Sequence, residues 1–205
     1  MSKKFVIPPS VLKKADEDCI KVIRPSAERS ITLEFERIKR EMIREFLNHP
    51  VTVEISNGVN SPNISKTLSY GNLYSFIGFY ADEPDPTDAI LAILEESLIS
   101  FYTRKRGSFV ASITIPSAKQ IFDGTPMPWA KGRSWAKGIE SGISGLGYYL
   151  PLIEVGRSEG AVQNKTKVGS GKFQNTTYIS ALINKYIKAF SSIQSVRVIS
   201  GIKSL

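Results

Sequence analysis

The sequence predicts a protein that mixes α-helices with β-strands, because two different apolar periodicities occur along it. Apolar residues recur at spacings of three and four in three segments, which is typical of amphipathic helices. Shorter segments between them are rich in alternating or β-branched residues, which is typical of strands. No internal repeat and no linker rich in proline or serine divides the 205 residues. We therefore expect an N-terminal arm over residues 1–25 and a single domain over residues 26–205.

The first part of the chain predicts an arm followed by a long helix. Three prolines punctuate residues 1–25, and a brief helical turn is expected between them. The long helix is predicted from Ser26 to Asn48, and His49 before Pro50 ends it because the residue before a proline avoids helical angles. The apolar stripe of this helix contains Ile31, Phe35, Ile38, Met42 and Phe46. Its opposite face is charged and is expected to be solvated.

Two further helices are predicted from their apolar faces. Asp85 is expected to cap a helix that has Pro86 in its first position and continues as far as Tyr102. The basic sequence TRKRG over residues 103–107 then ends it and suits the negative end of the helix dipole. Thr177 is expected to cap the last helix. The buried face of that helix is predicted to contain Ile179, Leu182, Ile183, Tyr186, Ile187 and Phe190.

The strands are predicted from alternation and from β-branched or aromatic residues. The clearest are Val51–Ile55 and Phe109–Ile115, and Leu68–Tyr80 is expected to be a strand with bends at its glycines. The aromatic residues of that segment either pack in a core or, on an exposed strand, stack on nucleotide bases. Residues 118–122 predict a helical turn, residues 151–155 a strand, residues 156–172 a flexible basic loop and residues 196–199 a final strand.

Charge is divided unevenly between the two halves of the chain. Residues 1–100 contain 12 Lys or Arg and 15 Asp or Glu, whereas residues 101–205 contain 15 and 4. Such asymmetry indicates that the basic half binds an acidic partner, either nucleic acid or an acidic face of another subunit, unless it is only solvated. No apolar run approaches the roughly 18 residues of a membrane span. The N-terminus lacks the apolar region of a secretory signal.

The segment from residue 126 to 150, PMPWAKGRSWAKGIESGISGLGYYL, contains both tryptophans and five glycines. Ser134 is expected to cap a short helix. Gly138 and Gly142 lie inside it at a cost of about 1 kcal/mol each relative to alanine, which indicates close packing or movement. We interpret the segment as a packing and docking element, and we predict that Gly138→Leu blocks assembly but not folding of the monomer.

The side chains needed for catalysis or metal binding are sparse. The single cysteine, Cys19, excludes an internal disulfide, and His49 is the only histidine, which leaves no second one for a catalytic triad. Carboxylates at a helix start are explained by capping, although they could hold a cation. The candidate cation ligands are Asp82, Glu83, Asp85 and Asp88, and Glu154 or Glu159 could serve a nuclease-like site. The corresponding hypothesis is a metal-dependent nuclease that uses Asp82, Asp85 or Glu154. We predict no enzymatic activity, no cofactor and no metal.

About half of the chain resembles the small neck and tail-completion proteins of tailed bacteriophages, which form the head-to-tail junction of the virion. The resemblance lies within residues 47–102 and 126–164. Its sequence segments are NHPVTVEI at 48–55, GNLYSFIGF at 71–79, PW at 128–129, GRSW at 132–135, GIESGISGLG at 138–147 and GRSEGAVQ at 156–163. It implies an α+β fold in which a long helix packs on a mostly antiparallel sheet. It also implies a place in a homo-oligomeric ring that contacts other phage head, neck or tail proteins.

The docking residues that we predict lie in the tryptophan- and glycine-containing segment and in the 156–172 loop. They are Trp129, Arg133, Trp135, Gly138, Gly142, Arg157, Lys165, Lys167 and Lys172. The alternative hypothesis is a nucleic-acid-binding module without a known reader motif. Its cations would be Arg104, Lys105, Arg106, Lys131, Arg133, Lys137, Lys165, Lys167 and Lys172. Non-specific contact with packaged DNA is compatible with both hypotheses, and neither requires a membrane.

Overall fold

A computed structural model describes residues 9–68, 71–103, 109–142, 176–193 and 196–200 of the chain. Its N-terminal helix, α1, spans Pro9–Leu47. Short helices follow as α2 (Pro50–Ser56), a 3-10 turn at Gly58–Asn60, α3 (Leu73–Ile77) and α4 (Asp88–Glu95). The second half adds α5 (Ala118–Asp123), α6 (Trp135–Ser141) and α7 (Ile179–Ser191). The predicted α+β class, with a long N-terminal helix, is confirmed.

Five strands form two small sheets in the described part of the chain. The larger sheet has the order β1 (Leu98–Thr103), β2 (Phe109–Ile115) and β5 (Val196–Ser200). β1 and β2 pair in an antiparallel arrangement. β2 and β5 pair in a parallel arrangement, with Ile115 opposite Ser200. The smaller sheet is an antiparallel hairpin of β3 (Pro126–Met127) and β4 (Ala130–Ser134). The predictions of a strand at 109–115 and of a final strand near 196–199 are confirmed.

The core forms where α1, α7 and the larger sheet meet. The predicted stripe on α1 is confirmed, because Phe35, Ile38, Met42 and Phe46 are buried. Phe35 packs against Phe190 of α7 with ring centroids 5.5 Å apart. Apart from Ile187, which is partly buried, the predicted face of α7 is also buried. Burial of these faces stabilises the fold, because apolar surface is removed from water on both helices.

The long helix begins earlier than predicted. We expected it to start at Ser26 after an arm with only a brief helical turn, but it starts at Pro9 and continues through Pro25. A proline inside a helix removes one backbone hydrogen bond, which is tolerated best where water can satisfy the freed carbonyl. Pro25 is exposed, as are Val22 and Ile23 before it.

Two predicted strands are helices in the structure. Val51–Ile55 belongs to α2, because His49 caps it, Pro50 occupies its first turn and Val51, Thr52, Glu54 and Ile55 are buried on adjoining turns. The prediction for Leu68–Tyr80 is wrong where the structure describes it, since the Asn72 side chain caps α3 and Gly78 ends it in the left-handed region at φ 86°. In both segments the capping residues outweigh the β-propensity of the residues between them.

The second predicted helix is correct only in its first half. It ends at Glu95, and Leu98, Phe101 and Tyr102, which we expected on its apolar face, belong to β1 (Leu98–Thr103) instead. Pairing with β2 places Phe101 and Phe109 in a stacked arrangement with centroids 5.5 Å apart. Asp85 does organise the start of α4, because its Oδ1 accepts hydrogen bonds from the Thr87 N–H at 2.8 Å and from the Thr87 hydroxyl at 2.7 Å. The helix itself begins at Asp88.

Thr177 does not cap the last helix as predicted. The N-cap position of α7 is occupied by Tyr178, and its side chain makes no capping hydrogen bond. The acceptor comes from α6 instead, because Glu140 Oε1 accepts from the Ser180 N–H and Glu140 Oε2 from the Ser180 hydroxyl, both at 2.6 Å. A carboxylate there also stabilises the positive end of the α7 dipole.

Candidate docking surface

The hairpin and α6 form a unit that polar contacts fix at its base. Ser134 Oγ accepts a hydrogen bond from the Lys137 N–H at 3.1 Å, so the predicted cap of α6 is confirmed. The same hydroxyl lies 2.7 Å from the buried Thr125 hydroxyl. The Trp135 N–H donates to the Thr125 carbonyl at 2.9 Å. These contacts hold the backbone at the junction of the hairpin and α6 in a defined position.

Trp129 is half-buried at the tip of the hairpin, where it joins the hairpin to α3. Its indole Nε1–H donates to the Ile77 carbonyl at 2.6 Å, which satisfies one of the free carbonyls at the end of α3. A Cβ added to Gly78 would lie 3.4 Å from Trp129 Cδ1. The positive φ of 86° at Gly78 and the indole packed against it both favour glycine.

Trp135 is a core residue, which corrects its assignment as a docking residue. Its side chain is only 2% exposed. Its ring packs edge-on against Phe79 with centroids 5.7 Å apart and lies 6.4 Å from the Tyr178 ring. The indole therefore contributes to folding, and it presents no surface to a partner in this conformation.

The two glycines of α6 have different roles. Gly138 is buried within the helix, so Gly138→Leu would disturb the fold itself and would not separate assembly from folding as we predicted. Gly142 follows the helix at φ 98° and donates its N–H to the Gly138 carbonyl at 2.8 Å. The positive φ explains glycine at the end of α6.

A cleft of about 460 Å³ lies between α5, the hairpin and the start of α6. Arg133 and Lys137 are exposed on its wall, and Lys131 is exposed on the same hairpin. Lys119 also lines the cleft, where its ammonium contacts the Asp123 carboxylate at 2.7 Å. We call this feature the basic cleft, and its remaining lining residues are Phe122, Pro126, Gly132 and Ser134.

The other predicted cations lie outside the described residues. These are Arg104, Lys105, Arg106, Arg157, Lys165, Lys167 and Lys172. The predicted strand at 151–155 and the predicted loop at 156–172 also lie outside the described residues. Of the predicted docking residues that the structure describes, Arg133 is exposed at the cleft. Trp129 and Trp135 support the hairpin from its inner side.

The acidic residues before and at the start of α4 have structural contacts. Asp85 binds Thr87 and also accepts from the Ser56 hydroxyl of α2. Asp82, Glu83 and Asp88 are exposed. Among the described residues, no group of three or more His, Cys, Asp or Glu side chains could hold a metal ion. Glu154 and Glu159 lie outside the described residues.

His49 caps α2, whereas the sequence predicted only that His49 and Pro50 end the preceding helix. Its Nδ1 accepts from the Val51 N–H at 3.3 Å, which requires this nitrogen to be unprotonated. Its ring lies 4.8 Å from the Tyr178 ring. Burial lowers the pKa of His49, although a hydrogen bond with the Thr177 backbone and the nearby Glu45 carboxylate oppose this shift.

Sequence reasoning missed three carboxylates that organise the body of the protein, of which Glu140 is described above. Glu54 is fully buried, and its two oxygens accept from the Ser65 N–H at 2.6 Å and the Leu73 N–H at 2.7 Å. Glu45 Oε2 accepts from Lys185 Nζ at 2.5 Å and from the Tyr186 hydroxyl at 2.6 Å. Only the single carboxylate of Glu54 within an otherwise uncharged segment, residues 46–65, could have signalled such a role.

Comparison with known proteins finds no relative. No protein-family model, no curated protein and no solved structure matches the chain. Within the described residues, none of the helices has the length and apolar character needed to cross a membrane.

Proposed function

We propose that this chain is a structural protein of a tailed-phage virion that oligomerises into a ring at the head-to-tail junction and performs no catalysis. The resemblance of the sequence to neck and tail-completion proteins suggests this role. The observation that carries the proposal is the N-terminal part of α1. We call residues 9–23 the projecting segment, and it extends the helix by about 22 Å at 1.5 Å per residue.

The described side chains of the projecting segment are exposed, which leaves this surface open to another subunit. Val22 is 80% exposed and Ile23 is 60% exposed. Of the side chains described between residues 14 and 30, none is buried. A helix of about 15 residues is marginally stable in water without packing. Burying one valine and one isoleucine completely would contribute about 3–6 kcal/mol, which favours a subunit contact at this site.

A closed ring requires heterologous contacts, in which one surface of a subunit meets a different surface of its neighbour. The projecting segment and the basic cleft belong to separate parts of the chain, so the protein has more than one surface available. In the virion, further surfaces would contact other head, neck or tail proteins. Such a role needs surfaces of defined shape and charge, and it requires no cofactor.

The proposal is tested by the native mass of the full-length protein, measured by analytical ultracentrifugation and by electron microscopy over a range of concentration and salt. The wild type is expected to form discrete rings. The double variant Val22→Asp with Ile23→Asp is expected to remain a folded monomer, because two buried charges would oppose the contact. Val59→Asp, which adds a charge at a half-exposed apolar position outside α1, is the matched control and should assemble normally. A wild type that stays monomeric throughout, or a double variant that assembles as well as the wild type, would contradict the proposal.

A nucleic-acid-binding module is the second candidate, and the exposed Lys131, Arg133 and Lys137 around the basic cleft favour it. Binding through phosphates would make the logarithm of the affinity for duplex DNA fall steeply with the logarithm of the salt concentration. A monomer that binds DNA in this way, and loses binding when these three residues are neutralised, would replace the ring protein as the favoured function.

A further inference from the structure

One continuous part of the chain contains acidic groups and no cations. Residues 67–103 include six carboxylates and no lysine, arginine or histidine. Five of these carboxylates are exposed, and three of the five, Asp82, Glu83 and Asp88, lie close to Asp85 in the sequence. Asp85, between them, is held by Thr87 and Ser56, which fixes the turn that presents its neighbours. We call residues 80–88 the acidic turn.

The basic cleft has a net positive charge. Lys119, Arg133 and Lys137 line it together with one carboxylate, Asp123, and Lys131 is exposed on the same hairpin. Arg133 and Lys137 are exposed at the cleft, and the polar contacts of Ser134 and Thr125 fix the backbone near them. The cleft therefore presents fixed positive charge in a concave site with a volume of about 460 Å³.

We propose that the basic cleft of one copy of this chain binds the acidic turn of the next copy. This inference rests on the proposed ring, and it identifies one of the contacts that would close the ring. The two features belong to different elements, as a heterologous contact requires. Opposite charge on the two surfaces would speed their encounter and disfavour cleft-to-cleft or turn-to-turn pairing, which would form closed dimers instead of a ring.

The shape and extent of the basic surface favour an acidic turn over DNA. A duplex presents phosphates in long rows, and non-specific binding depends on neutralising many of them. Three cations and one carboxylate line the described cleft, and a fourth cation, Lys131, is exposed on the same hairpin, so the basic surface is small. A short turn with two adjacent exposed carboxylates, Asp82 and Glu83, matches this small patch in size and in charge.

The test is charge reversal followed by complementation. One variant carries Arg133→Glu and Lys137→Glu, the second carries Asp82→Lys and Glu83→Lys, and the third combines all four changes. The control reverses two exposed lysines elsewhere, Lys66→Glu and Lys188→Glu. Circular dichroism and thermal unfolding verify that each variant folds, and Lys137→Glu alone serves if the Arg133 change disturbs folding. Sedimentation gives the protein concentration at which half of the chains are assembled.

Each of the first two variants should raise that concentration by about tenfold or more, because two attractive contacts become repulsive. The four-fold variant should assemble approximately like the wild type, as should the control. The inference is overturned if rings form equally well in every variant, although the proposed function then stands. It is also overturned if the four-fold variant fails to recover, or if the first variant loses DNA retention while its ring mass is unchanged, which would make the cleft a nucleic-acid contact. A wild type that forms no rings would refute the proposed function itself.

Discussion

The two ends of α1 share one continuous helix and have opposite surroundings. In the anchored segment, residues 31–47, Met42 and Phe46 are completely buried against the body of the protein. In the projecting segment, residues 9–23, Val22 and Ile23 are mostly exposed. One continuous helix is therefore covered by its own chain at one end, while the described side chains at its other end are exposed.

The change from one segment to the other occurs at an ion pair. The core-facing stripe of α1 continues toward the N-terminus through Glu28 and Arg24, whose side chains bind each other at 2.7 Å. The Arg24 guanidinium also lies 5.6 Å from the centroid of the Phe109 ring. Replacing apolar residues by charged ones at these two positions ends the core, because a charged pair is costly to bury. On the N-terminal side of this pair, the described side chains as far as Lys14 are exposed.

The largest expected effect is a difference in the free energy of unfolding between two variants, each of which truncates an apolar side chain in one of the two segments. Phe46→Ala should lower the free energy of unfolding by about 4 kcal/mol, since it removes a buried ring and leaves a cavity. Val22→Ala should change it by less than about 0.5 kcal/mol in the monomer, because the side chain is already in water. Chemical denaturation at concentrations below assembly measures both. Similar losses in the two variants would show that the projecting segment also packs on the body.

A smaller effect is expected at the contact that joins the anchored segment to α7. The Lys185 ammonium and the Tyr186 hydroxyl donate to Glu45 and hold its pKa below the usual value of 4.5. Glu45→Gln should cost about 1 kcal/mol, because the carboxylate is partly exposed and solvent screens the pair.

The pH dependence of the unfolding free energy tests whether the charge of Glu45 contributes to its contact with Lys185 and Tyr186. A lowered carboxyl pKa contributes stability that is present above the unfolded value of 4.5 and is lost as the pH falls through the folded value. The wild type should therefore lose stability in this acidic range more steeply than Glu45→Gln. Parallel pH profiles for the two proteins would argue against a stabilising role for the charge.

The anchored segment could be predicted from sequence, whereas much of its surroundings could not. The stripe from Phe35 to Phe46 follows from local spacing alone, and the cap at Ser134 follows from the local sequence. Leu98–Thr103 shows why spacing can mislead, because its apolar residues also continue the helical pattern of α4. Only pairing with β2, which depends on distant residues, makes this segment a strand.

The docking surface could also be predicted only in part, because burial there depends on contacts with residues that are distant in the chain. The sequence identified the hairpin region through its tryptophans and glycines, and Arg133 does lie on the exposed wall of the cleft. It could not distinguish Trp135, which is buried in the core, from Trp129, which donates to Ile77. Both are tryptophans in similar local sequence, and their burial depends on Phe79 and Tyr178, which are distant in the chain.

A still smaller effect is expected from His49, at the C-terminal end of the anchored segment. Burial lowers its pKa below the unfolded value of 6.5, so the folded protein binds this proton less readily than the unfolded chain does. Its contribution to stability is present above pH 6.5 and is lost as the pH falls toward the lowered value, by a fraction of a kcal/mol. His49→Asn keeps a capping oxygen and should remove this pH dependence. A wild-type stability that is flat between pH 7.5 and 5.5 would contradict the expectation.

The smallest effect on the free energy of unfolding is expected at the ion pair between Arg24 and Glu28. This pair also gives the most direct test of whether the two segments unfold independently. Arg24→Gln should leave the free energy of unfolding unchanged within about 0.5 kcal/mol, because the pair is partly exposed. It should nevertheless increase amide hydrogen exchange in residues 9–23 several-fold, since the contacts of Arg24 with Glu28 and the Phe109 ring, next to the projecting segment, are lost. Exchange in residues 35–46 should not change, and Arg29→Gln, at an exposed position one turn away, is the control. Faster exchange in both segments would mean that α1 unfolds as one cooperative unit, whereas exchange confined to the projecting segment would make the ion pair the boundary between a self-supported helix and one that awaits a partner.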